Sequence, residues 1–159
     1  MTEILKGKVK TLYATDNPEE VLIKYEDCVT AGNGQMINSI KTHFIDCPSL
    51  DTMKCKKLEI VPVEVICRNI AAGSIVRTTN LKEGMVIQPP IVEFFLKDDT
   101  KNDPLLTPDR VRLMGINTEP LIEQVRNIND ALQQLFFLCG IDLVDFKLEF
   151  GYDAHGDLY

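Results

Sequence analysis

Paired cysteines, histidine, basic charge and long apolar runs are all scarce in this sequence, and each scarcity removes a class of function. The five cysteines, Cys28, Cys47, Cys55, Cys67 and Cys139, are odd in number and form no C-x-x-C pair; the histidines are His43 and His155. No zinc constellation assembles from that set, and no metal site is expected. The thiols read as reduced and mostly buried, which places the chain in the cytoplasm. No apolar run approaches the roughly 20 residues that a membrane helix needs, and residues 1–6 have no signal-peptide core, so no membrane partner is expected. Lys and Arg number 17 against 24 Asp and Glu, a net charge of -7. Bulk charge of that sign excludes a protein that holds nucleic acid by counter-ion release. Neither G-x-x-x-x-G-K-[ST] nor G-x-G-x-x-G occurs, so the common phosphate fingerprints are absent. A few local cations and backbone N–H groups can still hold a small anion.

What is present is 159 residues, 45% of them hydrophobic, enough for a real core. Residues 8–13 and 21–25 read as strands joined by a turn at Thr15-Asp16-Asn17-Pro18. Residues 38–57 show little periodicity and are assigned no element. Residues 58–68 form a long β-branched strand, with Pro62 pointing to an edge or a bulge, then a turn at 71–74 and a strand at 91–96. Thr107-Pro108 caps a short helix stopped by Gly115, and Thr118 caps a long one. On the long helix Leu121, Val125, Ile128, Leu132, Leu135 and Cys139 make an apolar stripe that packing alone explains. Residues 141–150 alternate as a strand, with Asp145, Lys147 and Glu149 on one face. Strands first, helices later and a final strand predict an α+β fold.

Three groups have the composition of a site, and each has a plain structural reading beside it. Lys6, Lys8 and Lys10 around Gly7 are a solvated strand face or a phosphate clamp. Arg68-Asn69 leading through small residues to Ser74 is a strand end with a salt bridge to Glu64, or an anion site. Asp145, Lys147 and Glu149 are a water-facing surface, or the floor of a nucleotide cleft that holds a metal or ribose hydroxyls.

Taken in order, Lys6-Gly7-Lys8-Val9-Lys10, Thr30-Ala31-Gly32-Asn33-Gly34, Val61-Pro62-Val63-Glu64 with Arg68-Asn69-Ile70-Ala71-Ala72-Gly73-Ser74, Pro90-Ile91-Val92-Glu93-Phe94 with Asn102-Asp103-Pro104, and residues 142–151 closely resemble the SAICAR synthetase family of purine biosynthesis. The resemblance implies a two-lobed fold, a kinase-like β-rich N-terminal lobe (1–74) and an α+β second lobe (75–159), with ATP in the cleft between them. It implies an enzyme that phosphorylates the carboxylate of a phosphoribosyl carboxyaminoimidazole before aspartate attacks the acyl phosphate. On matching positions Lys8 and Lys10 would meet nucleotide phosphates, Arg68 and Ser74 the phosphoribosyl group, and Lys147 and Glu149 the nucleotide and metal. Gly32, Asn33, Gly34, Asn69 and Arg77 complete the expected binding set, and Asp103 has a less defined place.

Three departures bear on activity. A helical segment of the family is missing near Ile40, a family Lys-Arg pair reads Arg77-Thr78, and the family's D-E-x-S-P-D segment has no counterpart. Phosphoryl transfer depends on such charges, whereas binding is less demanding. The expectation is therefore a non-catalytic, shortened family member that sequesters a nucleotide messenger, a sponge of the phage anti-defence type. On that reading no catalytic residue and no cofactor is required. The alternatives are a minimal SAICAR synthetase using ATP and Mg, and a scaffold subunit of a longer homologue. Uncovered apolar surface and strand edges predict a homo-oligomer.

Overall fold

The computed structural model describes residues 2–6, 10–25 and 40–159. Packing divides the chain into two compact units, 1–60 with 151–159, and 61–150. The sequence reading set the boundary at 74/75. In the structure the division falls at 60/61, early in one long strand, and the last nine residues return to the first unit.

The first unit is built on a five-stranded sheet in the order β1 (Glu3–Lys6), β2 (Lys10–Ala14), β3 (Glu20–Tyr25), β5 (Thr52–Lys56), β4 (Phe44–Ser49). The predicted turn between β2 and β3 is held by Asn17 Oδ1, which accepts the Glu19 N–H at 3.0 Å, an Asx turn. Val21, Ile23 and Cys55 form its buried core, with Leu12, Tyr25 and Met53 packed against them. The hairpin β4–β5 lies in the stretch assigned no element; β5 alternates over only five residues, and its pairing to β3 (Val21↔Cys55, Ile23↔Met53) fixes it as a strand. Gly151 belongs to this unit and packs too closely for a side chain: a Cβ there would stand 2.8 Å from Leu58 Cβ and 3.0 Å from the Glu59 carbonyl oxygen.

The second unit has a four-stranded sheet, β8 (Leu105–Leu106), β7 (Val86–Leu96), β6 (Glu59–Ile70), β9 (Asp145–Tyr152), with helices α1 (Ser74–Thr78), α2 (Pro108–Leu113) and α3 (Glu119–Leu138). The predicted α+β class is observed. β6 is an inner strand rather than the edge that Pro62 pointed to. Its register with β7 begins at Val63↔Leu96, one residue beyond the proline, so the missing N–H costs that ladder nothing. Val63, Val65 and Cys67 on one face of β6 are buried with Phe94, Val111, Leu121, Val125 and Phe150.

Thr107 caps α2 as predicted, its hydroxyl accepting the Arg110 N–H. Thr118 does not cap α3: it is buried, and Asn117 Oδ1 accepts the Glu119 N–H instead. The apolar stripe of α3 is buried only in its first half. Leu121, Val125 and then Asn129 face inward, whereas Leu135, Phe137, Leu138 and Cys139 are exposed. Two thiols of the four described, Cys55 and Cys67, are buried; Cys47 and Cys139 are exposed, against the expectation of mostly buried cysteines. No helix among the described residues is long and apolar enough to cross a membrane.

Candidate functional site

Alternation along β6 decides which side chains meet. Glu64 and Arg68 share one face and Asn69 takes the other, because successive residues of a strand point oppositely. Cross-strand register adds Glu93, opposite Ile66 on β7, and β9 contributes Asp145, Lys147 and Glu149.

Arg68 is the centre of this face. Although it is 4% exposed, its guanidinium is well satisfied: Nε donates to Glu93 Oε2 at 2.6 Å, Nη1 to Asp145 Oδ2 at 3.0 Å and Nη2 to Ser74 Oγ at 2.8 Å. Ser74 opens α1, directly after Gly73 at φ 63, a backbone conformation that glycine adopts without strain. The expected pairing of Arg68 with Glu64 is not observed. Glu64 instead receives Lys147 Nζ at 2.9 Å, and Lys97 Nζ donates to Glu149 at 2.6 Å. Lys147 is held above the ordinary lysine pKa, first by its bond to Glu64 and then by the fields of Glu64, Glu149 and Asp103, against a desolvation that lowers it. Asp103, in the left-handed region at φ 42, accepts the Asp98 N–H on Oδ1.

The structure thus gathers Arg68, Ser74, Lys147 and Glu149 from the expected set on or beside one sheet face, and adds Glu93 and Lys97, which sequence reasoning did not select. The signal for Glu93 was there: it alternates with Val92 and Phe94 within the Pro90–Phe94 block. Asn69 departs from the expected binding role. Its side chain points to α3, where Nδ2 donates to Asn129 Oδ1 at 2.8 Å while Oδ1 accepts from Asn129 and Gln133. Arg77 is exposed on the last turn of α1. Lys10 lies in the first unit, where its charge helps to hold His43 below the ordinary imidazole pKa, after desolvation. β1 and β2 run antiparallel with Lys6 opposite Thr11, so Lys6 and Lys10 do not share one strand face as expected. Lys8, Gly32, Asn33 and Gly34 lie outside the described residues.

Chemically, this face is not a bare anion trap. Each of its three cations, Arg68, Lys97 and Lys147, is already matched to a carboxylate, and Asp145 is in excess. Hard carboxylate oxygens in excess suit a nucleotide that brings a divalent cation with it. Among the described residues no group of three or more His, Cys, Asp or Glu is placed to hold a metal alone.

Comparison with known proteins gives a consistent answer. The family model described as SAICAR synthetase matches residues 3–42 and 35–159. The phosphoribosylaminoimidazole-succinocarboxamide synthase of Trichodesmium erythraeum (strain IMS101) is 43% identical over 183 aligned positions, covering 98% of this chain and 76% of that protein. The synthase of the same name from Synechocystis sp. (strain ATCC 27184 / PCC 6803 / Kazusa) is 41% identical, covering 99% and 70%. A solved SAICAR synthetase (Type-2) in complex with ADP superposes with a TM-score of 0.86 at 30% identity, over 97% of this chain and 77% of that one. An alignment longer than the chain, and a family match split at 35–42, agree with an internal segment missing near Ile40. The expectation of a non-catalytic nucleotide sponge of the anti-defence type is overturned by these relatives. Chains about two-fifths identical over nearly all of this one carry the synthase name. The expectation that no cofactor is required gains no support either, since a solved relative carries ADP.

Proposed function

The chain belongs to the SAICAR synthetase family, and we propose on that footing that it is itself a synthetase, joining aspartate to the carboxylate of a phosphoribosyl carboxyaminoimidazole at the expense of ATP. A carboxylate oxygen of the imidazole attacks the γ-phosphorus and ADP leaves. The aspartate amine then attacks the acyl carbon, phosphate leaves, and the nitrogen gives up a proton to form the amide.

The observation that carries the reading is the intact polar face of the second sheet. Arg68 and Ser74 are assigned to the phosphate of the phosphoribosyl group, since a planar guanidinium fork beside a hydroxyl suits phosphate oxygens. Lys147, fixed on Glu64, is assigned to the nucleotide phosphates. Glu149 is assigned to Mg²⁺, which when bound neutralises charge on the transferring phosphoryl group. Lys10 and Lys8 are assigned to nucleotide phosphates, with Gly32, Asn33 and Gly34 as backbone contacts and Arg77 as an outer cation. Asn69 supports the site only through its hold on α3. The chain is proposed to act as a homo-oligomer, supported by the exposed Leu113, Phe137 and Leu138, and in the cytoplasm, which suits its free thiols.

The test is direct. Purified protein with ATP, Mg²⁺, aspartate and the imidazole carboxylate ribonucleotide should release ADP and the succinocarboxamide in equal amounts, at an ordinary enzymatic rate of about 1–10³ s⁻¹. ADP release without amide, or no turnover, overturns the proposal.

A further inference from the structure

The face around Arg68 has one carboxylate more than its charges need. Glu93 alone would neutralise the guanidinium: it is 2.6 Å from Nε and its side chain is 19% exposed. Asp145 is a second partner, 3.0 Å from Nη1 and 39% exposed. The two are anchored differently. Glu93 sits within β7, its register fixed on both sides by Val65↔Phe94 and Cys67↔Val92. Asp145 is the first residue of β9; its backbone is held through the Val144 carbonyl, which accepts from the Asn69 and Ile70 N–H groups at 2.9 and 3.1 Å, so what sets it apart from Glu93 is its place at a strand end and its more open side chain. Lys147 follows the same rule, since its direct partner Glu64 is a side chain of an inner strand and 13% exposed. On this face the carboxylates of inner strands are the buried anchors, whereas those of β9, Asp145 and Glu149 at 41%, stand nearer to water.

A carboxylate and a phosphate compete for the same N–H groups of a guanidinium. We propose that Asp145 is a resident counter-ion that occupies the phosphate position on Arg68, and that a phosphorylated ligand displaces it from Nη1 while Glu93 keeps Nε. The identity of the ligand as a phosphoribosyl compound rests on the synthetase reading; the exchange itself needs only a dianionic phosphate. Without ligand, Asp145 keeps a nearly buried cation paired and ordered. With ligand, the dianion carries more charge than the monoanionic side chain, so it wins the exchange where a carboxylate or an uncharged nucleoside does not. Asp145 is thus a specificity residue: it sets a threshold that weakly charged ligands fail to cross.

A site occupied by its own counter-ion for about nine-tenths of the time loses about tenfold in apparent affinity. Asp145→Asn keeps the shape of the side chain and removes the competitor. Calorimetric titration with ribose 5-phosphate should therefore show about tenfold tighter binding to this variant than to the unaltered protein. Asp109→Asn, which deletes the same charge from the exposed start of α2, should leave the affinity unchanged. Equal or weaker binding by Asp145→Asn overturns the exchange, as does an equal gain in Asp109→Asn, which would make the effect one of bulk charge. If Asp145→Asn does not fold, the ¹⁵N resonances of Arg68 in the unaltered protein decide: ribose 5-phosphate should shift Nη1 and leave Nε in place, and the reverse refutes the proposal. The synthetase assay is independent. Turnover without a gain in Asp145→Asn sinks the exchange alone, and a gain without turnover sinks the synthetase reading alone.

Discussion

Replacing Asn129 with alanine should destabilise the second unit by about 2–4 kcal/mol without weakening phosphate binding. Asn129 and Asn69 are 2% and 5% exposed and exchange two side-chain bonds, at 3.0 and 2.8 Å. Among the described residues every buried side-chain polar atom has a partner. Truncating Asn129 orphans the Nδ2 donor of Asn69, whereas Oδ1 of Asn69 still accepts from Gln133 at 2.5 Å. One buried unsatisfied donor costs about 1–3 kcal/mol, and the lost contacts of a small side chain add about 1 kcal/mol more. Against a typical domain stability of about 5–15 kcal/mol the protein should stay folded. Urea denaturation followed by far-ultraviolet circular dichroism measures the loss, and titration with ribose 5-phosphate measures the affinity. A loss below about 0.5 kcal/mol would mean that the amide cluster is not the clamp between β6 and α3. A large loss of affinity in a fully folded Asn129→Ala variant would return Asn69 to the ligand site.

Other consequences follow from single contacts. Lys147 has a raised folded-state pKa, so the stability it gains from Glu64 is fully present below the ordinary lysine value and is lost as pH rises through its own; Glu64→Gln should lower the Lys147 pKa, read from its side-chain resonances, and an unchanged value refutes the pairing. Burial pushes the Cys55 and Cys67 thiols up to about 11, so at neutral pH an alkylating reagent should label exposed Cys47 and Cys139 first and reach the other two only on unfolding; peptide mass spectrometry checks the order. Light scattering should give a mass that is a multiple of 18.0 kDa, and a monodisperse monomer would reject the proposed homo-oligomer.

Elements with a strong period of their own were legible in the sequence. Residues 58–68, the long helix and the final strand were placed within a few residues because alternation or a 3.6-residue stripe marks them directly. The β4–β5 hairpin was not, because Phe44–Ser49 does not alternate and Thr52–Lys56 alternates over only five residues; their order comes from the ladder of β5 to β3 and of β4 to β5, which the local pattern does not show. The second half of α3 shows the opposite failure. Its stripe is written clearly, yet Asn129 and Gln133 take the inward positions, because the buried partner there is the amide of Asn69 rather than an apolar side chain.

The partner of Arg68 is where sequence reasoning had to fail, and the reason is geometric. Glu64 shares a face with Arg68, but four residues of extended chain separate them by roughly 13 Å, whereas cross-strand neighbours stand about 5 Å apart. Which carboxylate reaches the guanidinium therefore depends on register, and register is set by the whole ladder from Val63↔Leu96 to Arg68↔Ile91. The same ladder changes what Arg68 is. As an isolated cation at a strand end it would contribute little to folding, and its loss would read only as lost affinity. Held at 4% exposure between Glu93, Asp145 and Ser74, it is part of the packed structure as well, and removing it strands two carboxylates against each other. Breaking one partner out of a buried pair costs about 3–5 kcal/mol, less here because Asp145 is open to water. An Arg68→Ala variant that binds no ligand is therefore ambiguous, and the charge-neutral exchanges at its partners are the cleaner probes of what the guanidinium does.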